Sequence, residues 1–353
     1  MSGTSLDGVD VVLCEITSKY CKLFDAIEYP FDSKLKSDVL DLIHASAPLE
    51  KVGQIDHRLG QMFADAVNVL INTHSLKKNE IIAIGSHGQT MWHSPDSEYP
   101  FSMQLGDPNI ITAKTGIKVI ADFRRKDIAL GGQGAPFAPA FHRAVFQDIK
   151  KRAAVVNIGG MANITLLDEP FLGYDTGPGN VLMDMWIAQH KGLAFDNDGL
   201  WAKGGSPDLE LLNDFFREPF FMQVPPKSTG RERFNALWLE EILKRHTHLH
   251  IRDIQATLLE LTVHSIADDI KKYQLDLLLI CGGGARNGFL MERLSEVLPT
   301  MEVSSTDAYG VSADSMEAMA FAWLAYKRVH RETVDLKAVT GAKENAILGG
   351  IYE

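Results

Sequence analysis

The chain has 353 residues, 45% hydrophobic and 23% charged, and its 35 basic against 46 acidic residues leave a net charge of -11. That length points to two domains with substantial cores. An acidic chain with no Lys/Arg stripe argues against a nucleic-acid partner, and apolar runs such as LDLLLI are far too short to span a bilayer.

The first element is a turn, GTSLDG, in which Gly3, Thr4, Ser5, Asp7 and Gly8 offer close backbone approach, hydroxyl donors and a carboxylate. Such parts suit a phosphate and a hydrated metal ion. The spacing is neither that of a P-loop nor that of a dinucleotide fingerprint. Val9 to Ile16 then reads as a buried strand. Further strands are predicted at 81–85, 117–121, 153–158, 163–167 and 275–281. Helices are predicted at about 34–45, 53–72, 136–149, 180–191, 235–245, 253–273 and 312–329. This alternation predicts an α/β protein with layered sheets, and LGGQGAPFAP at 130–139 is the candidate hinge. Cys14, Cys21 and Cys281 are odd in number and lack metal-type spacing, which suits reduced thiols in the cytoplasm; no export signal opens the chain.

An echo runs through this order. GTSLDG precedes a strand, and AAVVNIGGMANITLL at 153–167 sets strand, Gly-Gly turn and strand in a row, so each half would carry one tight glycine turn. Two unrelated hairpins would look the same. A third glycine cluster, Gly282, Gly283 and Gly284, follows the strand LLLIC. It could lie under a flat ligand or form a strand-to-helix turn of unusual dihedrals.

Polar residues gather where strands should end, which is where α/β sheets bind ligands. SHGQT supplies His87, Gln89 and Thr90. ADFRRK supplies Asp122 and Arg124, which alternation would place on one side of the chain. GYDTGPGN puts Asp175 on a rigid loop ahead of a helix that Asn180 can cap, a position suited to a general base or to a plain turn residue. Glu317 falls with Phe321 and Leu324 on one stripe of the helix at 312–329. A carboxylate there is expensive to bury without a partner or ligand.

Taken together, MSGTSLDGVD, SHGQT, DFRRKDIALGGQGAPFAP, VNIGGMANIT, DTGPGN, CGGGARN, DSMEAMAFAWLA and VTGAKENAILGGIY resemble the anhydro-N-acetylmuramic acid kinase family. The blocks run in order across nearly the whole chain. The resemblance implies a two-lobed actin-like ATPase fold, ribonuclease H-like in each lobe, with ATP clamped between lobes. Residues 1–129 would form the first lobe, with the tail 331–353 packing back on it, and 130–330 the second. The implied nucleotide contacts are Gly3, Thr4, Ser5, Leu6, Asp7, Gly8, Val9 and Asp10 in the first turn. They continue with Asn157, Gly159, Gly160 and Asn163 in the second turn, and Gly282, Gly283, Gly284 and Asn287 on the adenosine side.

The same resemblance implies Asp175 as base and His87, Gln89, Thr90, Asp122, Arg124 and Glu317 as sugar contacts. The substrate would be 1,6-anhydro-N-acetylmuramic acid, opened by water and phosphorylated on O6 with ATP and magnesium. Many clan members begin each phosphate turn with Asp. Here Asn157 stands in the second, so Asp7 becomes the candidate for holding the magnesium water shell. The family normally has a strand leading into MSGTSLDG, and its absence suggests a late start or a truncation. A hydroxyl kinase for another sugar and a clan-related regulatory or chaperone-like ATPase are the alternative readings. No nucleic acid or membrane partner is expected, and a homodimer stays open.

Overall fold

The computed structural model describes residues 1–353 apart from Thr4, Ser5, Asp7, Ala45, Ser46 and Pro226. In chain order the strands are β1 (Gly8–Ile16), β2 (Cys21–Pro30), β3 (Ile84–Gly85), β4 (Gln89–Ser94), β5 (Phe101–Leu105), β6 (Val119–Ala121), β7 (Ala153–Ile158), β8 (Met161–Leu166), β9 (Gly173–Pro178), β10 (Leu277–Cys281), β11 (Glu302–Ser305) and β12 (Gly350–Tyr352). The helices are α1 (Ser33–His44), α2 (Leu49–Thr73), α3 (Pro108–Thr115), α4 (Arg124–Ala129), α5 (Ala138–Val145), α6 (Val181–Lys191), α7 (Leu200–Lys203), α8 (Leu209–Phe216), α9 (Ala236–Leu243), α10 (Ile251–Ile270), α11 (Gly288–Val297), α12 (Met316–Val329) and α13 (Lys337–Thr340).

Two units divide the chain. The first joins Met1–Val145 to Ser315–Glu353, and the second is Phe146–Asp314. The division therefore falls at 145/146 and 314/315, where the sequence placed it at 129/130 and 330/331. The segment read as a hinge lies inside the first unit. Asp127 holds it there, accepting from Gly134 N at 2.7 Å through Oδ2 and from Thr340 Oγ1 at 2.9 Å through Oδ1. Segment 315–330 belongs there too, because α12 packs on β1, β3 and β6.

In the second unit one sheet runs β11-β10-β7-β8-β9. β7, β8 and β9 form an antiparallel meander, and β10 and β11 continue it parallel to β7. This is the ribonuclease H-like order. β10 is buried throughout and β7 at every residue but Asn157, as expected of central strands covered on both faces. The long helix α10 is apolar over most of its circumference and is accordingly sunk into the core, with Leu258, Leu259, Leu261 and Ile266 essentially inaccessible.

The first unit repeats the plan with one difference. β1 pairs antiparallel with β2, and β3 pairs parallel with β6, which β12 flanks. No described strand joins β1 to β3 in the way that β7 joins β8 to β10. Between them runs an apolar groove of about 790 Å³, lined by β1, β3, α2 and α12. Met1 and Ser2 enter its end, where Asp10 N donates to Met1 O at 2.9 Å and Ser2 bridges antiparallel to Val9. The expectation that Val9 to Ile16 is a buried strand is half met. β1 is a strand, but only Val9 is fully buried. A hairpin of β4 and β5 completes the unit.

Candidate functional site

In the second unit the chemistry collects at the end of the sheet where β7 turns into β8. Gly159 and Gly160 make that turn, and Asn157 faces Asn163 across the ladder. The turn's carbonyls are already engaged. Asn180 N donates to Gly159 O at 2.8 Å, and Gly179 N and Val181 N donate to Gly160 O at 2.9 and 3.2 Å. The start of α6 is thereby fixed to the glycine turn. Asn180 stands at the helix N-cap as expected, but its side chain does not cap. Its Nδ2 donates to Ile158 O at 3.1 Å, tying α6 to the end of β7.

The Gly282–Gly284 cluster packs against this same end. Gly282 has a φ of 77°, and a Cβ there would stand 2.3 Å from Asn157 Oδ1. A Cβ on Gly284 would stand 2.4 Å from Ile158 Cβ, so glycine is required by close approach. Gly283 is the open member, its nearest neighbour being Asn180 Nδ2 at 3.4 Å. Asn287 serves the helix that follows, its Oδ1 accepting from Leu290 N at 3.0 Å as the N-cap of α11.

Asp175 lies on β9, opposite Asn163 and three residues from Pro178, which faces Met161 after the glycine turn. The sequence placed it on a loop; the structure places it in a strand. Its Oδ2 accepts from Ser228 Oγ at 3.0 Å and from Thr229 N at 2.9 Å. Its Oδ1 has no hydrogen-bond partner among the described residues. Burial pushes the carboxyl above the ordinary aspartate range, the two Oδ2 bonds oppose that rise, and the charge of Glu232 adds to it. The result is a half-buried carboxylate with one oxygen anchored by two hydrogen bonds and the other without a hydrogen-bond partner among the described residues.

Two neighbours escaped the sequence reading. Asp184, one turn into α6, has its pKa pushed up to about 6 by burial, with Arg231 opposing and Asp196 adding to the rise. The Arg231 guanidinium lies close to the second turn, since a Cβ on Gly160 would be 3.7 Å from its Nη2. A carboxylate inside the apolar run VLMDMW was the available signal for Asp184. Arg231 carried none.

In the first unit the end of β3 and the start of α4 bring His87 and Arg124 together. Arg124 Nη2 donates to His87 Nε2 at 2.9 Å, Nη1 donates to Gly134 O at 2.9 Å, and the guanidinium lies 5.2 Å from the Phe137 ring centroid. The His87 ring packs on Phe321 at 4.5 Å. Burial, then the Arg124 charge, lowers the His87 pKa to about 3, so the imidazole is neutral. Burial also lowers that of Arg124 to about 10, with the Glu317 charge opposing, so Arg124 stays charged at neutral pH. Gln89 accepts from Ser2 Oγ at 2.5 Å, and Thr90 accepts from Gln104 Nε2 at 3.3 Å.

Asp122 does not share a side with Arg124. The strand stops at Ala121, Asp122 takes a φ of 60°, and its carboxylate pairs with Arg125 at 2.8 Å. Of the first glycine turn, Thr4, Ser5 and Asp7 lie outside the described residues. Leu6 is fully buried with a φ of 53°, and Val9 is buried beside it, so both anchor the turn to the core. Asp10 lies on β1 with its side chain largely exposed, and partial desolvation of the carboxyl raises its pKa against the lowering effect of the chain's amino terminus. Among the described residues no three His, Cys, Asp or Glu gather as a metal cluster.

Two α/β units, one built on a ribonuclease H-like sheet that carries a glycine turn beside a carboxylate, define the class of two-lobed actin-like ATPase folds. Family comparison narrows this. A family model described as anhydro-N-acetylmuramic acid kinase matches residues 1–353, and the chain belongs to that family. The anhydro-N-acetylmuramic acid kinase of Sulfurovum sp. is 56% identical over all of this chain and 97% of its own. That of Aliivibrio fischeri is 51% identical, again over all of this chain and 97% of its own. Among solved structures, the Acidaminococcus fermentans (R)-2-hydroxyglutaryl-CoA dehydratase component A is similar at a TM-score of 0.44 and 9% identity, over 91% of this chain and 99% of that one. The fold assignment rests on strand order and family, not on that distant likeness.

Proposed function

We propose that this protein is a kinase that takes ATP and 1,6-anhydro-N-acetylmuramic acid and yields N-acetylmuramic acid 6-phosphate and ADP. Family membership supplies the substrate, and the observation that carries the chemistry is the state of Asp175. Its Oδ2 is held by Ser228 and Thr229, and no described residue hydrogen-bonds its Oδ1. A carboxylate so held can take a proton from a water directed at the anomeric carbon. The C1–O6 bond then breaks, and O6 accepts the γ-phosphoryl group as ADP leaves. Ordinary glycoside hydrolysis needs a second carboxyl to protonate the leaving oxygen. Here the phosphoryl group quenches that oxygen, so a single base is enough.

Phosphoryl transfer asks mainly for positioning and charge neutralisation. In this reading Gly159, Gly160, Asn157 and Asn163 meet the phosphates from the second unit, with Arg231 as the nearby cation. Gly283 is the open face of the adenosine-side glycines. In the first unit the residues from Gly3 to Asp10 make the matching phosphate contacts. His87, Arg124, Gln89, Thr90 and Glu317 contact the sugar, and Asp122, paired with Arg125, is a weaker member of that set.

Magnesium, when bound, neutralises phosphate charge. An ion that keeps its waters and leans on phosphate oxygens needs no all-protein cage. Asp7 is the residue we assign to its water shell. ATP supply places the reaction in the cytoplasm, and the chain can act alone or as a homodimer.

The deciding experiment measures ADP release with and without the anhydro sugar, in heavy-oxygen water, with product mass. The reading requires sugar-dependent ADP, a product heavier by one water and one phosphoryl group, and label at the anomeric carbon. Label on the phosphate, or a product with its anhydro ring intact, overturns it.

A further inference from the structure

The carboxylate of Asp175 is held by a loop, and that loop is itself held by a buried ion pair. Lys227 Nζ lies 3.2 Å from Asp269 Oδ2, and the two side chains are only 2% and 3% exposed. The ammonium also sits 4.7 Å from the Phe220 ring centroid. A Lys buried this completely is rare unless paired, and its desolvation is tolerable only with a fixed partner. Asp269 belongs to the last turn of α10. From the next turn Tyr273 reaches Tyr174, the neighbour of Asp175, with the hydroxyl oxygens 3.1 Å apart. The end of α10 thus grips both flanks of Asp175, β9 through Tyr174 and the loop through Lys227.

The loop then delivers three bonds in succession. Lys227 O accepts from Asp175 N at 2.9 Å, Ser228 Oγ donates to Oδ2 at 3.0 Å, and Thr229 N donates to Oδ2 at 2.9 Å. We propose that the buried Lys227–Asp269 pair is a positioning device for the general base, locking residues 227–229 so that Ser228 and Thr229 stay aimed at Oδ2 of Asp175. Neither Lys227 nor Asp269 need touch the substrate. The inference rests on Asp175 being the base.

Hydrogen bonds to the ionised form of a carboxylate favour that form, so releasing the loop raises the proton affinity of Asp175. The other groups facing the site are Glu232 on the same loop, Tyr174 and Tyr273 beside β9, and Lys272, which pairs with Asp269 from the solvent side.

The test follows the Asp175 carboxyl carbon by NMR through a pH titration, its signal assigned by its loss in Asp175→Asn. In Lys227→Met the midpoint should rise by about one pH unit, and the acid limb of kcat should follow. Lys227→Arg should restore most of the shift. Lys272→Met removes a charge from the same Asp269 without touching the loop, and should lower the melting temperature while leaving the midpoint in place. Lys227→Met keeps Asp269 paired with Lys272. If it still fails to fold, Lys227→Gln combined with Asp269→Asn gives a neutral pair for the same titration. An unmoved midpoint with a lowered melting temperature overturns the proposal. A midpoint that moves while the kcat limb does not leaves the positioning of Asp175 standing and removes its role as base.

Discussion

Arg124 donates to His87, guanidinium Nη2 to imidazole Nε2, at 2.9 Å. A cation can donate only to a neutral ring, so the His87 proton sits on Nδ1, on the side of the ring facing the Gly88 and Ser2 backbone. With His87 as a sugar contact, His87→Gln should raise the KM for the sugar about tenfold, with little change in kcat. With a pKa near 3, His87 contributes no limb to the rate profile between about pH 5 and 8. Profiles of wild type and His87→Gln should coincide in shape, and a limb lost with the histidine would refute its neutrality.

Asp175→Asn keeps size and much of the hydrogen bonding but cannot accept a proton. Steady-state assays should show kcat lower by about 10²–10⁴-fold, with ring opening and phosphorylation lost together and calorimetric binding of ATP and sugar retained. The base works ionised, and burial raises its pKa. Activity should therefore fall as pH drops through a midpoint above the ordinary aspartate value. Ring opening at near wild-type rate in Asp175→Asn would remove it from the mechanism.

Gly283 and Gly284 are adjacent and should behave differently. A methyl at 284 meets Ile158 Cβ at 2.4 Å and forces β7 to shift, at a cost of about 1–3 kcal/mol. A methyl at 283 meets only an amide at 3.4 Å. Thermal melts should show Gly284→Ala destabilised and Gly283→Ala close to wild type, while ATP titration should show Gly283→Ala weakened. Equal ATP affinity would remove Gly283 from the nucleotide contacts.

Asp127 holds the 130–134 segment and the tail to one carboxylate through two buried bonds. Hydrogen bonds to a charged group are worth about 1.5–3 kcal/mol each. Asp127→Ala should therefore lower the stability of the first unit by several kcal/mol, visible as an early melting phase, and the second unit should melt as before. A single unchanged transition would show that the tail is held elsewhere.

What the sequence disclosed follows from what is local. Apolar runs that are central strands, Ala153–Ile158 and Leu277–Cys281, announce themselves, and so do the glycine turns that end them. β2 did not, because the adjacent apolar pairs Leu23-Phe24 and Ala26-Ile27 break the alternation of CKLFDAIEYP, and its alternating burial comes only from the ladder with β1. β9 did not, because GYDTGP contains every local sign of a loop. Its ladder is supplied by β8, which no local pattern reveals. Asp175 was legible from its surroundings, whereas Ser228, Thr229 and Lys227 reach it from more than fifty residues away. The attachment of LGGQGAPFAP to the first unit was hidden for the same reason, since the carboxylate that fixes it bonds a threonine at position 340.

The glycine turn of the second unit has a consequence for which parts of that unit open together. Gly159 O accepts from Asn180 N, Gly160 O accepts from Gly179 N and Val181 N, and Asn180 Nδ2 adds a bond to Ile158 O. The end of β7 and the head of α6 therefore form one cooperative piece. In deuterium exchange, the amides of Gly179–Val181 should keep pace with those of Val155–Ile158 rather than with the far end of α6.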